Sequence, residues 1–277
     1  MEQNLSKKTR TESDLIGSRE VPESALYGVQ TLRGIENFRI SKFHLNEYPL
    51  FIQALAITKM GAAVANRELD LLTEEQADAI LKACKEILEG KHHDQFPVDM
   101  IQGGAGTTTN MNANEVIANR ALELMGHQRG EYQYCSPNDH VNRSQSTNDA
   151  YPTAIHIGLY YTHLKLVKHF EVLIESFRKK ATEFAHVIKM GRTQLEDAVP
   201  MTLGQTFNGF ASILRHEVKN LDFAAQDFLT VNMGATAIGT GITAEPEYAE
   251  KCIAALRKIT GLGTRKKAKY LIIQYLA

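Results

Sequence analysis

The chain has 277 residues, 43% of them hydrophobic and 23% charged, with a formal net charge of −1. That balance is ordinary for a globular protein and gives no clustered basic excess for a nucleic-acid polyanion, so no nucleic-acid partner is expected. No segment offers about 18 uninterrupted apolar residues, and the polar opening from Met1 to Leu15 lacks the apolar core of a secretory signal. No membrane partner is therefore expected, and the expected location is cytoplasmic.

Residues 1 to about 45 carry Pro, Gly and Asn punctuation without a sustained period, which predicts an irregular arm with a short strand. From Pro49 the character changes. Leu50, Ala54, Ile57, Gly61 and Val64 recur at spacings of three and four, one face of a helix. Thr73 followed by Gln76 has capping-box spacing and opens a second helix, in which Ile80, Cys84, Ile87 and Leu88 continue to a stop at Gly90. A third is expected from about Asn112 to Met125, with Gly126 at its end.

Between Gly158 and Gly191 there is neither Gly nor Pro, and Leu166, Phe170, Leu173, Phe177, Ala181, Phe184 and Ile188 keep the three-four spacing. This predicts one helix of roughly 30 residues, about 45 Å long. Pro200 is expected to open another, carrying Leu203, Phe207, Phe210, Leu214, Val218, Leu221, Ala225 and Phe228. Pro246 suits the first turn of a shorter one with Cys252, Leu256 and Ile259. Stripes this long imply a bundle in which they bury each other. Phe170, Phe177 and Phe184 read as core packing and not as a ligand box, because aliphatic residues continue the same face. The expected fold class is all-α, with a mixed N-terminal domain over 1–141 and a long-helix bundle over 142–277.

Four strings stand apart from this periodicity. Ser144-Gln145-Ser146-Thr147-Asn148-Asp149 and Gln102-Gly103-Gly104-Ala105-Gly106-Thr107-Thr108-Thr109-Asn110 are rich in hydroxyl, amide and glycine residues and are placed where a helix is about to begin. Gly191-Arg192-Thr193-Gln194-Leu195-Glu196-Asp197-Ala198-Val199-Pro200 is placed likewise, and Val231-Asn232-Met233-Gly234-Ala235-Thr236-Ala237-Ile238-Gly239-Thr240-Gly241 is the fourth. Hydroxyls and the free N–H groups of a helix start donate to anions, and the helix dipole adds a favourable field, so such strings suit a carboxylate. One N-cap needs one such residue, not three.

Other candidates yield to plainer readings. Gly104-Ala105-Gly106 lacks the Lys-Ser/Thr of a phosphate loop and the third Gly of a dinucleotide fingerprint. Its glycines are expected to let backbone approach a substrate. His92, His93 and Asp94 read as a solvated turn, since adjacent histidines do not face one point. Cys84, Cys135 and Cys252 are odd in number and hold no Cys-x-x-Cys pair, which fits reduced, packed thiols. No metal and no cofactor are expected. His140 and His156 show no partner in the sequence.

Taken in order, the four strings resemble the aspartase/fumarase superfamily, from about Leu15 to about Gly261. The resemblance implies the helical aspartase/fumarase fold, of which 142–277 would be an incomplete central domain. It also implies a homotetramer whose active sites draw segments from three subunits. The implied reaction is elimination of ammonia from L-aspartate to give fumarate through an enediolate. Thr107, Ser146 and Thr147 are the positions matching donors to the side-chain carboxylate. Asn148, Thr193 and Gln194 match those that orient the amine. Fumarases typically show His where Gln194 stands and Ser-Ser-Asn-Asp where this chain has Ser146-Thr147-Asn148-Asp149, so both positions favour the ammonia-eliminating branch.

The family's Gly-Ser-Ser-x-x-Pro-x-Lys-x-Asn loop, the implied source of the catalytic base and of the α-carboxylate grip, is absent from these 277 residues. After Gly261 the chain turns to a basic run, Leu262 to Lys269, and an apolar one, Tyr270 to Ala277, neither matching the family. A C-terminally truncated, inactive reading frame is the expectation. A fumarate hydratase, or a non-catalytic partner assembling with a full-length relative, are the alternatives.

Overall fold

The computed structural model describes residues 8–266. Residues 267–277, most of the basic and apolar run, lie outside the described residues, as do the first seven of the polar opening. The described chain is largely helical, with three short two-stranded pairings.

It begins with an antiparallel hairpin of β1 (Thr9–Asp14) and β2 (Gly17–Pro22), followed by a helix absent from the sequence reading, α1 (Val29–Asn37). Its N-cap, Gly28, has no side chain to cap with, and its first turn holds no acidic residue. The caps come from elsewhere in the chain. The N–H groups of Gly28, Gln30 and Thr31 donate to the Glu115 carboxylate at 2.8, 2.8 and 3.0 Å, and that of Val29 donates to Glu12 at 2.9 Å. Every early N–H that a helix leaves orphaned is thus satisfied by two buried glutamates.

α2 (Pro49–Glu68), α3 (Glu74–Leu88) and α4 (Thr107–Leu124) come next. The capping box at Thr73 and Gln76 is formed as expected, each side chain accepting from the other's N–H. α4 starts at Thr107, ahead of the predicted Asn112, because Gln102 reaches over the glycines and accepts from Thr109 N–H at 2.9 Å. Ile52, Leu55, Ile80, Ile87, Val116, Ile117 and Leu122 form the core among these helices. α7 (Tyr248–Thr260) packs on α2 and adds Leu256.

By its contacts the chain divides into two compact units: one runs to Gly158 and resumes at Leu229, and the other is Leu159–Phe228. The long helix α5 (Thr147–Glu183) begins in the first and ends in the second. It stops short of the predicted Gly191. Residues predicted to continue it form β3 (Ile188–Thr193), which pairs with β4 (Glu196–Thr202) as an antiparallel hairpin. Pro200 therefore lies in β4 and opens no helix. α6 (Leu203–Ala225) starts after Thr202, whose hydroxyl accepts from Gln205 N–H in a second capping box. Within this unit Phe177 and Phe184 of the aromatic stripe, both half-buried, pack against aromatic residues of α6, of which Phe210 is itself exposed, so the stripe is only partly covered. Phe177 stands 6.1 Å from Phe207 and 5.6 Å from Phe210 between ring centroids, and Phe184 stands 5.8 Å from Phe207. In the first unit, β5 (Thr230–Val231) pairs in parallel with β6 (Arg265–Lys266).

Candidate active site

The Ser144–Asp149 string caps α5. Ser146 Oγ accepts from Asn148 N–H at 3.2 Å, and Asp149 Oδ1 accepts from Ser146 N–H at 2.9 Å, a reciprocal cap made with Asp in place of Glu. A hydroxyl that accepts from the backbone still has its own hydrogen to give. Asp149 is fully buried, and its other oxygen accepts from Thr236 N–H at 2.8 Å. Burial pushes its carboxyl up to about 6, against the Ser146 and Thr236 N–H groups that hold it down.

Two further bonds bring the 231–241 string onto this helix start. Asn148 Nδ2 donates to Ala237 C=O at 2.9 Å, and Asn232 N–H donates to Thr153 Oγ1 at 3.1 Å. With its nitrogen on a carbonyl, the Asn148 amide presents Oδ1, an acceptor, which is what an ammonium-bearing ligand requires. The turn before the helix is pinned from α2, where Ser144 Oγ donates to Asn66 Oδ1 at 2.8 Å and Asn66 Nδ2 donates to Arg143 C=O at 2.9 Å.

The 102–110 string meets the same place. Gly106 is the N-cap of α4 with φ of 88°, and the Tyr151 ring from the start of α5 occupies the space a Cβ there would need. Thr107, the first residue of α4, is exposed, and the cap position beside it carries no side chain. One turn on, Asn110 Nδ2 donates to Thr147 Oγ1 at 3.1 Å. Two helix N-termini thereby converge, with Thr107 heading one and Ser146, Thr147 and Asn148 heading the other. Oriented N–H groups and hydroxyls at two such ends make a setting for a carboxylate.

Thr193 and Gln194 belong to the second compact unit and sit at the tip of the β3–β4 hairpin. Thr193 pairs with Glu196, and the turn between them is Gln194–Leu195, with φ of 49° and 70°. Both are exposed. Their string leads into a strand and not a helix, so the expectation of a helix start there is corrected.

Among the residues outside these strings, His156 Nδ1 lies 2.8 Å from Thr230 C=O, and His140 Nδ1 accepts from Ser136 N–H at 2.7 Å. His92 and His93 turn to Glu86 Oε2 at 3.0 Å and Ile87 C=O at 2.8 Å. No group of three or more His, Cys, Asp or Glu able to hold a metal ion occurs among the described residues. The sequence reading missed Lys59, which is completely buried in α2, with Nζ donating to Asn110 Oδ1 at 2.7 Å, Asn142 Oδ1 at 3.0 Å and Gln145 Oε1 at 2.8 Å. Its signal was available: a lysine inside the apolar run Ala54 to Ala65 has no solvent to reach.

Residues 17–274 match the profile of a family described as lyase. An aspartate ammonia-lyase of Escherichia coli (strain K12) is 54% identical over 258 residues, covering 93% of this chain and 54% of that relative. One from Helicobacter pylori (strain J99) is 53% identical over 252 residues, covering 91% of this chain and 54% of its own length. Among solved structures, a fumarate lyase:delta crystallin from Brucella melitensis bound to cobalt superposes with a TM-score of 0.93 at 50% identity, covering 95% of this chain and 57% of that one. A class II fumarase from Schistosoma mansoni gives 0.86 at 36%, covering 92% and 53%. The chain spans about half the length of the curated relatives it matches.

Proposed function

The chain belongs to this lyase family, and from that premise we propose that its chemistry is the reversible elimination of ammonia from L-aspartate to give fumarate. Removing a weakly acidic Cβ proton is tolerable only if the charge moves onto the neighbouring carboxylate, which then carries two negative charges as an enediolate. Preorganised donors aimed at that carboxylate, each contributing a few kcal/mol in a water-poor site, lower the barrier. Thr107, Ser146 and Thr147 are assigned that role, and Asn148, Thr193 and Gln194 the orientation of the amine. The observation that carries the reading is the Asn110–Thr147 bond, which seats the head of α5 against the first turn of α4.

The proton-abstracting base and the α-carboxylate grip are assigned to the Gly-Ser-Ser-x-x-Pro-x-Lys-x-Asn loop, which these 277 residues do not include. The described residues supply the carboxylate donors of this proposal. The domain boundary at 141/142 belongs to this reading. So does a homotetramer, supported by exposed Leu164, Leu166, Val172, Leu173, Phe210, Ile213 and Phe223 on α5 and α6. A cytoplasmic setting is supported by three free, buried cysteines.

Substrate choice rests on Thr147 and Gln194. A neutral amide at Gln194 cannot titrate as the histidine of a hydratase would. The test joins residues 17–261 to the remaining portion of the E. coli relative and compares L-aspartate with malate as the source of fumarate. Preferential fumarate formation from L-aspartate is expected; preferential interconversion of malate and fumarate would overturn the assignment.

A further inference from the structure

Lys59 is a buried cation whose three hydrogen-bond partners are all neutral amides. An ammonium has three hydrogens to donate, and here each meets one amide oxygen, so its capacity is filled. Holding a charge away from water costs several kcal/mol. Burial accordingly drives Lys59 down to about 7, the charge of Asp149 being the largest effect against it. An apolar side chain at this place in α2 would avoid that cost, which directs attention to what the ammonium does for its neighbours.

A primary amide has an accepting end and a donating end. Wherever Lys59 carries its proton, on the acid side of about pH 7, it can only donate, so the end of Asn110 that faces it is Oδ1 and Nδ2 faces away. It donates there to Thr147 Oγ1 at 3.1 Å and to Asn142 Oδ1 at 3.1 Å. Asn142 Oδ1 in turn receives Lys59, Asn110 and Asn114 Nδ2, the last at 3.2 Å, which locks the cluster. Inside the protein, Thr147 Oγ1 is therefore an acceptor, and its hydrogen is the part left for a ligand. The opposite setting of Asn110 would draw that hydrogen inward and turn lone pairs towards a carboxylate, which itself has only lone pairs to offer.

We propose that Lys59 is a positioning residue that sets Thr147 as a donor through the Asn110 amide, touching no substrate itself. The inference rests on the reading that Thr147 binds a substrate carboxylate. Asn110→Asp separates the two roles Lys59 could have. A carboxylate there keeps an oxygen on the ammonium and adds the opposite charge, so the Lys59 contact is preserved, while the bond from position 110 to Asn142 Oδ1 is lost, a cost that urea unfolding of the variant measures separately from binding. Its second oxygen, however, accepts the Thr147 hydrogen.

The experiment titrates succinate into the purified, 15N-labelled chain and follows the Ser146 and Thr147 amide signals. Losing one hydrogen bond to a charged group weakens binding by about ten- to a hundredfold. That loss is expected for Thr147→Val and equally for Asn110→Asp. The double variant is expected to bind no worse than either single one, since both remove the same donor. Lys59→Met, read alongside, should match them wherever it folds. Wild-type binding by Asn110→Asp, with Thr147→Val weakened, would leave Lys59 a structural residue and overturn the inference. Additive losses in the double variant would point to charge repulsion and overturn it too. Unchanged binding by Thr147→Val, or no binding by the unaltered chain, would remove the underlying reading and the inference with it.

Discussion

Replacing Glu115 tests whether α1 exists because a distant residue caps it. Glu115 Oε2 accepts from Gly28 N–H, Thr31 N–H and Thr31 Oγ at 2.8, 3.0 and 2.6 Å, all buried, while Oε1 accepts from the partly exposed Gln30 N–H. In Glu115→Gln the amide oxygen can keep the three buried donors, and only the Gln30 N–H faces an NH2 group. With water within reach of that N–H, the cost should be about 1 kcal/mol. Glu115→Leu fills similar space but leaves all three buried donors unpaired. At about 1–3 kcal/mol each, that is at least about 3 kcal/mol, against a total stability of about 5–15 kcal/mol for a typical domain. The effect should reach the candidate site, because α1 lies directly on the head of α4: the Thr108 methyl occupies the space a Cβ on Gly34 would take. Urea unfolding followed by circular dichroism measures both variants, and succinate binding follows the consequence. A leucine variant within about 1 kcal/mol of wild type, or a glutamine variant as damaged as the leucine one, would refute the reasoning.

Gly106→Ala should cost about 2–4 kcal/mol, since the residue has φ of 88° and Tyr151 occupies the Cβ position, whereas Gly126→Ala, at φ of 84° in open space, should cost less than half as much in the same unfolding assay. Burial pushes the thiols of Cys84 and Cys135 up to about 12 and raises that of Cys252, so at pH 8 the thiolate fraction is negligible. None of the three should react with a disulfide reagent in the native chain, and all three should react in denaturant; fast native labelling of any one would contradict the packing. The exposed apolar residues of α5 and α6 should drive association, so light scattering should show an assembly that Val172→Glu reduces without loss of helix signal, and a compact monomer that binds no hydrophobic dye would count against it.

Where structure is fixed locally, the sequence revealed it. The Thr73–Gln76 box marks α3 because the donors and acceptors lie three residues apart, and the three-four stripes of α2, α5 and α6 show because apolar residues recur along one face, buried on α2 but largely half-buried or exposed along the second half of α5 and on α6. α1 was invisible because its caps stand 17 and more than 80 residues away in the chain. The β3–β4 hairpin was hidden for two reasons. Ile188 happens to continue the helical spacing of α5, and the turn Gln194–Leu195 adopts two positive φ values without the Asn or Gly that would announce them.

Of the candidate site, Ser146, Thr147, Asn148 and Thr107 could be read from hydroxyl and amide strings, and the structure joins those strings at two helix ends. Lys59 gave a sequence signal as a lysine inside an apolar run, but neither its role nor that of Asn110 could be read, because both lie inside helices whose periodic pattern treats every position as a matter of burial. A charged residue in such a run is informative only when its partners are known. For Lys59 these are Asn110, Asn142 and Gln145, between 51 and 86 residues on.

The central claim is that Ser146 is more than the cap of α5, and one measurement addresses it directly: the steady-state deamination of L-aspartate by Ser146→Ala in the chimera with the E. coli relative. Losing a donor used mainly in the transition state should lower kcat by roughly ten- to a thousandfold, with kcat/KM falling in step. The lost cap should separately lower stability by about 1 kcal/mol. An unchanged turnover with only the stability loss would show that the hydroxyl at the head of α5 serves the helix alone, and the account of this site as a carboxylate-holding centre would be wrong.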